Sequence, residues 1–203
     1  MFFAFRAIIV NKIMKLNKDI FEIIFFARAG QGAKTAAEII AQAAISEGKH
    51  VQAFPYFGPE RSGAPTKAYV RISDKPIRIH EPIVDPDAVV VLDETLLKSE
   101  DTVKNLSRDE SFIINTAKTE KEIAEKVKNF KGKIYAIDAT GIAMEVIGQP
   151  RPNSVILGKL IQVTEAVDLE SVVEEFRKIF LLKVGSDLAE KNVLAIKKGY
   201  NGL

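Results

Sequence analysis

A chain of 203 residues, 47% of them hydrophobic, is long enough for one sizeable α/β core and short for two. Its 29 Lys and Arg against 27 Asp and Glu leave a net charge of +2 with no basic stripe, which argues against a nucleic-acid-binding protein. The absence of cysteine excludes disulfides and any iron–sulfur cluster held by thiolates of this chain alone, and only His50 and His80 are present, too few for a histidine-rich metal site.

Met1 to Val10 is apolar but too short to span a bilayer, and it lacks the basic start and small-residue cleavage pattern of a signal peptide. Met14 offers a second start. Residues 1–20 are therefore read as an N-terminal extension and residues 21–203 as a single domain, in a cytoplasmic protein.

Ile23 to Phe26 is a continuous apolar run, the pattern of a strand buried on both faces. Ala36 to Ser46 repeats apolar residues at helical spacing, and its alanines let the helix lie close on a sheet. Arg28-Ala29-Gly30-Gln31-Gly32 joins the two. Its glycines permit a tight turn with uncovered N–H groups. The helix start adds unpaired N–H groups and a partial positive charge, and Arg28 and Lys34 add full charges. Such a corner suits an anion, a phosphate above all. Glycine spacing alone leaves a second reading open, a short turn that binds nothing. The Walker A pattern fails, because Ala33 precedes Lys34 and Arg28 stands where the leading Gly belongs. The dinucleotide fingerprint fails at Thr35, where the third Gly belongs.

Gly48 is placed to close the first helix, and His50 to Phe54 reads as a short strand. Pro55 to Pro65 carries three prolines and two glycines, which excludes helix and central strand. It also carries Tyr56, Phe57 and the charge pair Glu60-Arg61. One reading is a rigid loop that satisfies itself. The favoured reading is a contact surface for a partner chain or ligand, because loops on rigid scaffolds carry function.

Thr66 to Ile72 alternates as a strand with one wetter face, and Pro76 to Ile79 is expected to return as its hairpin partner, with His80 at a strand end. Ala88 to Leu92 is another fully buried strand, ending at Asp93-Glu94, and a helix-like stretch follows with Leu96, Leu97 and Val103. Ser111 to Asn115 and Lys133 to Ile137 are further strands, separated by a surface helix over Lys118 to Phe130. Asp93, Asn115-Thr116 and Asp138 end three strands, on the edge expected to hold the Gly30/Gly32 turn and ligands. For Asp93 and Asp138 individually, helix capping is the better reading. Asn153 is expected to cap a helix from Ser154 to about Ala166, with further helices from Asp168 and from about Ser186. The fold class is α/β: a three-layer α/β/α arrangement around a mostly parallel open sheet, Rossmann-like, with a hairpin insertion and C-terminal helices.

Arg28-Ala29-Gly30-Gln31-Gly32-Ala33-Lys34-Thr35-Ala36-Ala37-Glu38 resembles the Gly-Gln-Gly signature that opens the gamma subunit of 2-oxoacid:ferredoxin oxidoreductases. Gln52 to Pro55 and Phe57 to Pro65 resemble that family's second signature, and Val89 to Glu94 and Asn153 to Gly158 fit it too. The match spans about Ile23 to Val184, with Ala27 where the family often has Gly.

The resemblance implies a subunit, not catalytic alone, of an enzyme that decarboxylates a 2-oxoacid on thiamine diphosphate with Mg2+. Electrons pass through 4Fe–4S clusters to ferredoxin, and acyl-CoA is released. It places the thiamine diphosphate on alpha and beta subunits and the clusters on a cysteine-bearing one, with a delta subunit as a further partner. No metal or cofactor is assigned to this chain alone, and no nucleic acid or membrane partner is implied. Coenzyme A is expected near Arg28, Ala29, Gly30, Gln31, Gly32 and Thr35, and a subunit interface near Tyr56, Phe57, Glu60 and Arg61. Gly63-Ala64-Pro65 resembles the pyruvate and branched-chain (2-oxoisovalerate) members, whereas 2-oxoglutarate members tend to carry Gly-Gly-Thr there. Two rival expectations are a purely architectural subunit without ligand contact and a free-standing Rossmann-type nucleotide-binding domain.

Overall fold

The structure, a computed structural model, describes residues 19–57 and 63–202, with Phe57 described by its backbone alone. The N-terminal extension up to residue 18 and the pair Glu60-Arg61 lie outside the described residues. Six strands form one sheet: β1 (Phe21–Arg28), β2 (His50–Phe57), β3 (Pro65–Ser73), β4 (Ala88–Val91), β5 (Ser111–Asn115) and β6 (Lys133–Ile137). Their order is β2-β3-β1-β4-β5-β6. β1, β4, β5 and β6 run parallel, and β3 pairs antiparallel with both β1 and β2. The helices are α1 (Ala33–Ser46), α2 (Glu120–Lys126), α3 (Ala139–Ile147), α4 (Asn153–Thr164), α5 (Leu169–Val184) and α6 (Ser186–Asn201), with a 3-10 turn over Glu94–Lys98.

Strand side chains alternate between faces, and β1 feeds two cores. Ile23, Phe25 and Ala27 pack with Val70, Val90 and Ile113 under α1, α3, α4, α5 and α6. Ile24 and Phe26 pack with Tyr69, Val91, Phe112 and Ile114 under α2, the 3-10 turn and Ile83. Both faces are covered, which is why the run is apolar without alternation. The result is the expected α/β/α arrangement around a mostly parallel sheet.

The thicker helical layer is tied together at the crossing of α4 and α6. A Cβ on Gly158 would lie 1.9 Å from the Ile196 carbonyl oxygen, and one on Gly199 2.0 Å from that of Val155. The two helices touch backbone to backbone, and the buried Ser154 hydroxyl donates to Asn192 Oδ1 at 2.7 Å beside that contact.

The hairpin differs from the expectation. It is formed by β2 and β3, and residues 76–79 are irregular. β3 has β2 on one side and β1 on the other, so no edge remains for a returning strand. His80 accordingly ends no strand. Pro55, Tyr56 and Phe57, expected in a loop, extend β2. β2 is an edge strand, and one side of its ladder is open, so a proline there is tolerated. The expected wetter face of β3 is covered. Arg71 is 2% exposed and donates to Glu22 Oε1 at 2.7 Å and to the Glu81 carbonyl at 2.7 Å.

The helix-like stretch after Asp93 is reduced to the 3-10 turn, and the Lys118 to Phe130 helix to the seven residues of α2. α2 begins at a capping box, where Thr119 and Glu122 satisfy each other's backbone N–H groups. α3 was not expected beyond the Asp138 cap. Gly148 closes it in the left-handed conformation. Pro152, not Asn153, stands at the cap position of α4.

Candidate functional site

The carboxyl ends of β1, β4, β5 and β6 lie along one edge of the sheet, and the turn from β1 into α1 sits there. Gly30 has φ +97° and Gly32 φ +84°, left-handed values that favour glycine. Gly32 is the cap residue of α1, and a Cβ there would lie 2.8 Å from Asn153 Nδ2. The start of α4 therefore closes on the start of α1. Neither helix start has a side-chain cap, and neither first turn carries an acidic residue. Ala29 and Gly30 are exposed, as is Lys34 in the first turn of α1. N–H groups at helix starts carry partial positive charge, so this corner offers donors and positive potential to an anion.

Side chains from distant segments hold the turn. The Arg28 N–H donates to Gln31 Oε1 at 2.8 Å, and Gln31 Nε2 donates to Asp93 Oδ2 at 2.9 Å. Arg28 Nε lies 3.3 Å from that same carboxylate oxygen. The Thr95 N–H and hydroxyl donate to Asp93 Oδ1 at 2.9 and 2.6 Å. Arg28 in turn donates to Thr95 Oγ1 at 2.7 Å and to the Gly63 carbonyl at 3.0 Å, while the Ala29 N–H donates to the Ala64 carbonyl at 2.9 Å. Burial pushes the Asp93 carboxyl up. Hydrogen bonds from Thr95 and Gln31 and the charge of Arg28 outweigh it, and hold it below the ordinary carboxylate range. Asp93 also caps the 3-10 turn, as expected.

α1 leaves β1 on one face of the sheet, and the 3-10 turn leaves β4 on the other. The ends of β1 and β4 are thus the place where a doubly wound sheet opens a crevice for a nucleotide. Here Arg28, Gln31, Asp93 and Thr95 bond to one another across it. Beside this plug a polar cleft of about 490 Å³ runs past Asp93, Glu94, Asn115, Thr116, Lys118, Asp138 and Thr140. Its groups are mutually satisfied. Glu94 takes hydrogen bonds from Lys118 and Thr116, which hold its carboxyl below the ordinary range. Asn115 bonds Leu92 and Thr140, and Asp138 Oδ1 accepts the Gly141 N–H at 2.8 Å, the expected cap of α3.

The structure brings Arg28, Ala29, Gly30, Gln31, Gly32 and Thr35 together at this corner. Tyr56 stands apart on β2, 56% exposed, with its ring 6.5 Å edge-on from Tyr69. Sequence reasoning missed Thr95 and the tie from Asp93 to Gln31, which joins residues 62 positions apart. The visible signal was an Asp-Glu-Thr end to a buried strand facing a glutamine in a glycine turn. Among the described residues no cluster of three or more His, Asp or Glu is placed to hold a metal ion, and no helix is long and apolar enough to cross a membrane.

Residues 22–202 match the family model described as pyruvate ferredoxin/flavodoxin oxidoreductase. The chain is 49% identical over 180 residues to the pyruvate/ketoisovalerate oxidoreductases common subunit gamma of Thermococcus kodakarensis, covering 89% of this chain and 95% of the relative. It is 44% identical over 187 residues to the pyruvate synthase subunit PorC of Thermotoga maritima, covering 92% and 96%. The crystal structure of a pyruvate oxidoreductase subunit PORC from Thermotoga maritima superposes with a TM-score of 0.81 at 41% identity, over 91% of this chain and 97% of that one. The fold also recurs within a 2-oxoglutarate:ferredoxin oxidoreductase from Magnetococcus marinus, at TM-score 0.72 and 21% identity, over 91% of this chain and 31% of that longer one. This chain belongs to the pyruvate ferredoxin/flavodoxin oxidoreductase family, as a gamma-type subunit of a 2-oxoacid:ferredoxin oxidoreductase.

Proposed function

We propose that this subunit contributes part of the coenzyme A site of a pyruvate:ferredoxin oxidoreductase, formed by Arg28, Ala29, Gly30, Gln31, Gly32 and Thr35. The observation that carries the reading is the pair of uncapped helix starts, α1 and α4, meeting at Gly32 beside the cation Lys34. A phosphate of coenzyme A would accept hydrogen bonds from the N–H groups of that corner, each worth about 1.5–3 kcal/mol because the acceptor is charged. The donors are held in place before binding, so little ordering is lost when the cofactor arrives. The Magnetococcus marinus enzyme that shares the fold carries coenzyme A in its solved structure, which is in keeping with this reading.

In the assembled enzyme, alpha and beta subunits hold thiamine diphosphate with Mg2+, and the 4Fe–4S clusters that deliver electrons to ferredoxin sit on a different subunit from this one. The chain has no cysteine to ligate a cluster itself. Thiamine diphosphate supplies the carbanion chemistry of decarboxylation. The part of this chain is to hold and orient the acyl acceptor and to seat against its neighbours through Tyr56, Phe57, Glu60 and Arg61, in the cytoplasm. A second reading, that one gamma subunit serves both a pyruvate and a branched-chain enzyme, is favoured by the Thermococcus relative, whose name is that of a subunit common to both. The free-standing nucleotide-binding reading has the plugged crevice between β1 and β4 against it.

The test is steady-state kinetics on the assembled complex carrying Arg28→Ala or Gly32→Val. The KM for coenzyme A should rise by about tenfold or more, the loss of one such interaction. Decarboxylation measured without coenzyme A should change less. An unchanged KM for coenzyme A in both variants removes the binding role and leaves the architectural one.

A further inference from the structure

We infer that Asp93 is a positioning residue: from the end of β4 its carboxylate sets the shape of the Arg28–Gly32 turn, by holding Gln31 and Arg28 across the sheet. The inference rests on the coenzyme A reading only for its functional consequence. Three donors point at this one side chain, and the Arg28 guanidinium pairs with it as a charge. Gln31 Nε2 addresses Oδ2, the Thr95 N–H and hydroxyl address Oδ1, and Arg28 Nε, which donates to Thr95 Oγ1 at 3.1 Å, lies 3.3 Å from Oδ2. A group that only accepts hydrogen bonds is required there, and a carboxylate is such a group.

The orientation of Gln31 follows from the same constraint. Its Oε1 must face the Arg28 N–H, so its NH2 must face Asp93. Gly30 and Gly32 let the backbone take its left-handed path, but glycine also allows many other paths. The selection among them comes from β4.

Asp93→Asn is isosteric and breaks this arrangement without opening a cavity. An asparagine turns its NH2 either toward Gln31 and Arg28 or toward Thr95, and meets donors both ways. Gln31→Glu alone sets one carboxylate against another. Together the two changes fit again. The amide at 93 donates to the carboxylate at 31, that carboxylate still accepts from the Arg28 N–H, and the negative charge stays beside Arg28.

The experiment uses the assembled complex and two readouts, amide hydrogen exchange over residues 30–35 and the KM values for coenzyme A and for pyruvate. Asp93→Asn should speed exchange at those amides by about tenfold, as a lost charge-assisted hydrogen bond implies. It should raise the KM for coenzyme A by a similar factor, with the KM for pyruvate unchanged. The Asp93→Asn/Gln31→Glu pair should restore the slow exchange. Unchanged exchange in Asp93→Asn, or exchange that the paired change fails to restore, overturns the inference. Exchange that speeds up and is restored while the KM for coenzyme A never moves supports the inference and overturns the coenzyme A reading.

Discussion

Two regions of this subunit depend on glycine, for opposite reasons. At the corner between β1 and α1, Gly30 has no heavy atom of the described residues within 4 Å of where a Cβ would stand, and its need is conformational. At the crossing of α4 and α6, Gly158 and Gly199 lie within helices, and their need is space, because a Cβ would enter a carbonyl of the facing helix. The first region is held by hydrogen bonds between side chains of distant segments and leaves donors uncovered. The second is held by contact between backbones, with the buried Ser154–Asn192 hydrogen bond beside it.

Four measurements break or sharpen this contrast, the largest effect first. Gly158→Ala forces two helix backbones apart and should destabilise by about 3 kcal/mol, at the upper end of overpacking. That corresponds to a fall in Tm of roughly 6–12 °C for a chain of this size, read by thermal denaturation. Protein that does assemble should keep its KM for coenzyme A. Gly30→Ala meets no neighbour among the described residues and should cost only about 1–2 kcal/mol for a left-handed alanine. Its KM for coenzyme A should nevertheless rise, the reverse of the Gly158→Ala pattern. Ser154→Ala leaves Asn192 Oδ1 without its buried donor and should cost about 1 kcal/mol in denaturant titration, with no kinetic effect.

The smallest effect is a pH dependence. The folded Asp93 carboxyl lies below its unfolded value, so its stabilisation is present above the unfolded pKa, about 4. It is lost as pH falls through the folded value. The stability difference between the unmodified subunit and Asp93→Asn should therefore be full at pH 7 and shrink on acidification below about pH 4. A difference that stays constant down to the acid transition would detach Asp93 from the network around Arg28.

The amino-acid sequence alone determined the elements whose environment is uniform along their own length. The apolar run Ile23 to Phe26 and the alanine-rich α1 identify themselves, because burial on two faces or on one helical stripe writes a local period. Asp93 and Asp138 show as caps because a cap bonds a backbone group two or three residues away. The glycine corner was legible as a candidate for the same reason, its donors being consecutive in the chain. Only the tertiary structure decided which strand pairs with β3, since that depends on β1 taking the edge a neighbouring segment would have used. It alone placed Arg71 in the interior, where Glu22 and a carbonyl from the 76–87 segment meet it. And it alone joined Asp93 to Gln31 and Thr95 to Arg28, because a hydrogen bond between side chains more than sixty residues apart exists only once the sheet has set β1 beside β4.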